Sequence, residues 1–157
     1  MIRRWSDYGT EDSRLKVSAG IAIILNRSKI LLCHPSKSKW ENTYSLPKGG
    51  VESGETLEDA ALRETLEETS VVVRVDQISN RKDPILIKYM SKTGRNYKNV
   101  YVYIVYINNI SQIGLESETI DRSKLQLKEI DWAGFLDKNE AESKIFHRMV
   151  GLLELMK

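Results

Sequence analysis

The chain has 157 residues, 41% of them hydrophobic and 29% charged, with a net charge of +2. That size and balance describe one domain with room for a real core, and no run approaches the roughly 18 apolar residues of a membrane span. A single cysteine, Cys33 in the apolar run Lys29-Ile30-Leu31-Leu32-Cys33, excludes an intramolecular disulfide and reads as a buried thiol. No secretory signal is expected behind Met1, so a reducing, cytoplasmic setting is the expectation.

Residues 1–14 read as a flexible or edge segment of the domain. Val17 to Leu25 and Lys29 to His34 are predicted strands, joined by the short turn Asn26-Arg27-Ser28. A loop with Lys37, Lys39, Trp40 and Tyr44 then leads into Leu46-Pro47-Lys48-Gly49-Gly50, a rigid turn whose two glycines tolerate positive φ. Thr56 is a predicted helix N-cap with Asp59 three residues on. In the helix that follows, Leu62 and Leu66 are spaced to anchor it to a sheet, and Ala60 and Ala61 to allow close approach. Val71 to Val75 is predicted to begin another strand. Pro84 to Met90 and Tyr97 to Ile107 form a predicted pair around Gly94, the second with an apolar run typical of a central strand. Leu125 to Trp132 is a weaker strand, and Lys138 to Met156 closes the chain as an amphipathic helix. Mixed strands with two principal helices and no internal repeat describe a single α/β domain.

Charge is distributed unevenly along this frame. Residues 49–71 carry seven acids against one base, whereas residues 81–98 carry six bases against one acid. Glu64, Glu67 and Glu68 fall three and four apart on the predicted helix and so converge on one face. Like charges on one stripe repel, which makes sense mainly against a cation such as Mg²⁺, a hard ion that prefers oxygen ligands. The plainer alternative is a solvated acidic helix. The basic segment, with Lys88, Lys92, Arg95 and Lys98, is either a phosphate-binding arm or a solvated hairpin.

The spacing Gly49, five residues, Glu55, seven residues, Arg63-Glu64-Thr65-x-Glu67-Glu68-x-Ser70-Val71 resembles the Nudix box of hydrolases that cleave a nucleoside diphosphate linked to another moiety. The resemblance implies an α/β/α sandwich with a mixed sheet, spanning 1–157 as one domain, and hydrolysis of a phosphoanhydride by activated water. It implies that Gly49, through its carbonyl, and Glu64, Glu67 and Glu68 hold Mg²⁺, with Mn²⁺ as a substitute. Arg63 would orient these glutamates and pair with Glu55. Either Glu64 or a later glutamate, best matched by Glu129, would be the general base. One position departs from the pattern, since Ser70 stands where the family usually has glycine. A left-handed Ser70 would cost about 1 kcal/mol, so Ser70→Gly is expected to stabilise the fold with little effect on turnover.

For substrate, the Leu-Pro-Lys-Gly-Gly entry resembles that of members hydrolysing dinucleoside polyphosphates and diphosphoinositol polyphosphates, and Tyr89 lies 18 residues beyond Val71, roughly where a tyrosine marks the dinucleoside polyphosphate group. Pro84, 13 beyond Val71, lies near a position associated with ADP-ribose enzymes. A dinucleoside polyphosphate is the leading expectation, with ADP-ribose, nucleoside triphosphates and RNA 5′ ends as alternatives and a non-catalytic nucleotide sensor as a reading of another class. Lys48, Lys88 and Tyr89 are expected to bind substrate. Trp40 and Tyr44 either stack on a nucleobase or plug the loop onto the core. His34 and His147 read as packing or surface residues. No membrane partner is expected, and oligomeric state is not legible.

Overall fold

The computed structural model describes residues 15–39 and 42–157. Its centre is a six-stranded mixed sheet of β1 (Lys16–Leu25), β2 (Lys29–Pro35), β3 (Lys48–Gly50), β4 (Ile85–Met90), β5 (Asn96–Ile107) and β6 (Ile130–Asp137). The strand order is β4-β5-β1-β2-β6. β1 runs parallel to β5 along its whole length. The other pairings are antiparallel.

β1 is shared between two partners on one edge, and this split creates the site. Near the hairpin, Ile24 and Leu25 pair with β2. Further back, Ser18, Ala19 and Gly20 pair with the short strand β3. The close approach needs a glycine, because a Cβ at Gly20 would lie 2.6 Å from the Lys48 Cβ and from the Pro47 carbonyl oxygen.

Alternation along the strands sends Val17, Ala19, Ile21 and Ile23 to one face, where they pack with Leu57, Ala60 and Ala61 of α1 (Leu57–Thr69). Ala22, Ile24, Ile30 and Leu32 face the opposite layer, built from α2 (Lys138–Lys144) and a 3-10 helix, His147–Met156, through Met149, Leu152 and Leu153. The result is the α/β/α sandwich that the resemblance implies.

Four local expectations need correction. Val71–Val75 is not a strand: β5 is already flanked by β1 and β4, and the chain instead turns through a short 3-10 segment, Val75–Gln77. The last strand is Ile130–Asp137 rather than Leu125 to Trp132: Ala133 and Phe135 alternate into the α1-side core, brought to the same side as Ile130 by a register shift opposite His34 and Pro35. The terminal helix breaks at Ile145, which is extended at φ −70 and ψ 142. There the Tyr44 amide donates to the Lys144 carbonyl (3.0 Å) and the Phe146 amide to the Tyr44 carbonyl (2.9 Å), so the loop before β3 replaces the helical bonds. On α1, Leu66 is 51% exposed, and the buried stripe runs through Leu57, Ala60, Ala61, Thr65, Glu68 and Thr69. The inward face thus becomes carboxylate toward the C-terminus of α1.

Among the described residues no helix is long and apolar enough to cross a membrane.

Candidate active site

The N-terminus of α1 is fixed by Thr56, whose hydroxyl oxygen accepts the Asp59 amide at 3.0 Å. Its far end lies beneath β3. A side chain at Gly49 would fall on the Glu64 carboxylate, so only glycine lets β3 reach the helix here. The Lys48 amide donates to Glu68 Oε1 at 2.9 Å. Glu68 is only 7% exposed. Burial pushes its carboxyl up to about 7, with Glu64 and Glu129 adding to the rise against the Lys48 amide. The Glu64 carboxyl is also raised, first by burial, with the Arg63 guanidinium opposing.

Arg63 ties these groups together. Its Nε and Nη2 donate to the two Glu55 oxygens at 2.7 and 3.0 Å, a bidentate pair that holds the Glu55 carboxyl below its ordinary range. Nη1 donates to Glu64 at 2.8 Å and Glu67 at 3.2 Å, and Nη2 to the Gly50 carbonyl at 2.9 Å. Expected to orient the glutamates and to pair with Glu55, Arg63 does both as a half-buried hub joining the loop, β3 and three carboxylates. Among the described residues no three acidic, His or Cys side chains are already gathered for a metal.

Glu64, Glu67, Glu68 and Glu129 nevertheless line one cleft of about 230 Å³, together with Lys48, Gly49, Gly50 and Gln126. It adjoins a second cleft of about 280 Å³ that shares Lys48, Gly49, Gly50, Glu68 and Glu129 and adds Ser18, Pro35, Ser45, Leu46, Lys98 and Ile130. Lys98 lines this second cleft with Glu68 and Glu129. Burial, and then the neighbouring Lys48, lowers its ammonium to about 8.

The oxygen-rich lining fits a hard divalent cation. Among the described residues, buried Glu68 has a single backbone donor, and Glu64 shares its one hydrogen-bond donor, Arg63, with Glu55 and Glu67. Such carboxylates retain lone pairs for a cation, and added positive charge would relieve their raised protonation.

The cleft therefore unites six residues singled out in the sequence, Lys48, Gly49, Glu64, Glu67, Glu68 and Glu129, with Arg63 beside them. Others lie elsewhere. Lys88 is exposed on β4, and alternation turns it to the sheet face opposite Tyr89, whose register partner is Lys98. Tyr89 is 7% exposed and packs on Tyr97 and Phe146, so burial pushes its phenol up to about 12. It meets the cleft only indirectly, through its ring 5.3 Å from the Lys98 ammonium. Tyr44 packs between His34 (4.9 Å) and Trp132 (5.9 Å) with the Lys144 ammonium 5.7 Å from its ring, and lines neither cleft. Trp40 lies outside the described residues. Gln126 and Ser18 were not foreseen, because an isolated polar residue in a loop or strand carries no spacing signal.

Ser70 caps α1 in the left-handed region, at φ 64 and ψ 10. Its hydroxyl also donates to the Lys124 carbonyl at 2.6 Å. The strain expected from sequence is therefore accompanied by a hydrogen bond that a glycine would lack.

This fold and box define a Nudix domain. The family model for the NUDIX domain matches residues 14–148, and the chain belongs to that family. An ADP-ribose pyrophosphatase of Methanocaldococcus jannaschii is 32% identical over 102 residues, 65% of this chain and 54% of the relative. An RNA pyrophosphohydrolase of Erythrobacter litoralis is 30% identical over 79 residues, 50% of this chain and 48% of the relative. The matches thus span about half the length of these relatives. Among solved structures, an Ap4A hydrolase of C. elegans superposes with a TM-score of 0.62 at 23% identity, covering 90% of this chain and 94% of that one.

Proposed function

We propose that this chain is a metal-dependent pyrophosphohydrolase that cleaves a phosphoanhydride in a nucleoside diphosphate-linked substrate, with a dinucleoside polyphosphate as the leading candidate. One observation carries the reading: a cleft lined by Glu64, Glu67, Glu68, Glu129 and Lys48 adjoins one that shares Lys48, Glu68 and Glu129 and adds Lys98. A polyphosphate needs both, acids to hold cations at the scissile anhydride and lysines for the phosphates beyond it.

In this reading Glu64, Glu67 and Glu68, with the Gly49 carbonyl, hold Mg²⁺ or Mn²⁺. When bound, the ion neutralises phosphate charge and lowers the pKa of water. Arg63 is the positioning residue, holding the Glu64 and Glu67 carboxylates through Nη1 at 2.8 and 3.2 Å. Glu129 takes the proton from the attacking water, since its carboxylate has no hydrogen bond or ion pair among the described residues. Lys98, half-buried and in part deprotonated near pH 8, gains its full charge when an anionic substrate enters.

Two-phosphate ADP-ribose is the second reading, favoured by the relative at 32% identity. A product-mass screen over diadenosine tetraphosphate, ADP-ribose, nucleoside triphosphates and 5′-triphosphorylated RNA, with Mg²⁺ or Mn²⁺, separates the candidates. The leading reading expects the highest kcat/KM on diadenosine tetraphosphate. Preference for ADP-ribose or RNA by tenfold or more would replace it, and tight binding without product would mark a sensor.

A further inference from the structure

The residue that breaks the family pattern is bonded to the segment that carries Glu129. At the end of α1 the Glu68 carbonyl, left without a helical donor, accepts the Gln126 amide at 3.0 Å. Two residues earlier in that segment, the Lys124 carbonyl accepts the Ser70 hydroxyl at 2.6 Å. From Gln126 the chain makes a tight turn, the Glu129 and Ile130 amides both donating to the Gln126 carbonyl at 2.9 and 3.0 Å. That turn brings Gln126 and Glu129 into the carboxylate cleft. Its other side is fastened to the residue that follows β2, where the Ser36 hydroxyl donates to the Leu127 carbonyl at 2.7 Å and the Ser36 amide to the Glu129 carbonyl at 3.0 Å.

We propose that Ser70 is a positioning residue, a latch whose hydroxyl, with the Glu68 carbonyl, docks the 124–129 segment on the end of α1 and so fixes Glu129 over the glutamates of the helix. A glycine would relax the backbone more fully, yet it would leave the Lys124 carbonyl unheld. In this chain the left-handed serine exchanges helix-end comfort for a hydrogen bond to the loop bearing the proton acceptor. The inference rests on the role given to Glu129 above.

The test compares Ser70→Gly and Ser70→Ala in the wild-type and Glu129→Gln backgrounds. Ser70→Gly should keep or raise the thermal midpoint while kcat falls roughly three- to tenfold at nearly constant KM, somewhat below the range for direct supports of a metal site. Ser70→Ala should lose kcat to the same extent, since it also lacks the hydroxyl. In the Glu129→Gln background the Ser70→Gly loss should vanish, as it does for residues acting through one another. Amide hydrogen exchange over 124–129 should quicken in both variants, whether or not substrate is turned over. Wild-type kcat in Ser70→Gly, an undiminished loss in the Glu129→Gln background, or loss in Ser70→Gly but not Ser70→Ala would overturn the latch. If the unsubstituted protein cleaves no phosphoanhydride, the functional reading fails by itself, and unchanged exchange over 124–129 then overturns the latch independently.

Discussion

Replacing Glu68 with glutamine should make the metal-free protein more stable, and by an amount that depends on pH. Glu68 is 7% exposed, and its carboxyl titrates at about 7 in the folded chain against 4.5 for a free glutamate. The folded state therefore holds a proton that the unfolded state has released between those values. Stability falls as pH rises through that window and levels off above about 7. At 1.36 kcal/mol per unit, a rise of about 2.5 units costs roughly 3 kcal/mol at pH 8. A glutamine oxygen can still accept the Lys48 amide without carrying charge. Glu68→Gln should thus match the wild type near pH 4.5 in EDTA and exceed it at pH 8 by about 2–3 kcal/mol, or some 4–12 °C in Tm for a domain of this size. Added Mg²⁺ should reverse the order, because only the ionised carboxylate gains from the ion. Urea titrations at both pH values, with EDTA and with Mg²⁺, read all four states. Equal stability of the two proteins at pH 8 in EDTA would show that Glu68 is solvated and that the site stores no charge for a cation.

Arg63→Ala leaves half-buried Glu64 without its donor and half-buried Glu55 with the Glu52 amide alone, and should cost about 2 kcal/mol of metal-free stability, as measured by denaturant unfolding; a loss under 1 kcal/mol would mark the network as an ordinary surface cluster. Glu67→Gln, more exposed, should preserve the fold and lower kcat by at least about 100-fold, checked in steady-state kinetics beside a thermal melt. Lys98→Met should raise KM at least tenfold for a four-phosphate substrate, and less for ADP-ribose, with kcat nearly constant. Lys88→Met, on the opposite face of β4, should change neither parameter beyond what moderate salt removes.

The box was legible because its chemistry is local. Glu64, Glu67 and Glu68 share a helical stripe by spacing alone. The stretch from Pro47 to Gly50 was read as a turn whose glycines tolerate positive φ, whereas Lys48–Gly50 is strand β3, neither glycine has positive φ, and Gly49 serves a close approach. What it passes is the Glu64 carboxylate, and no spacing rule names that partner. Long-range pairing was the harder part. Val71 to Val75 has strand propensity but pairs with no strand of the sheet, and the terminal helix breaks because Tyr44, a hundred residues away in sequence, takes the helical positions at Lys144 and Phe146. Lys88 and Lys98 looked like one basic arm, yet strand alternation sends one to each face of the sheet. Ser70 was read as a strained helix end, and the structure adds a hydroxyl bond to Lys124 that spacing does not name.

The most direct test is hydrolysis of diadenosine tetraphosphate in ¹⁸O-labelled water, with products resolved by mass. The carboxylate and lysine clefts together predict asymmetric or symmetric nucleotide products carrying one ¹⁸O on a phosphate, formed with Mg²⁺, abolished by EDTA and nearly lost in folded Glu67→Gln. Product formation that persists undiminished in EDTA, or in Glu67→Gln, would contradict hydrolysis at the glutamate cleft.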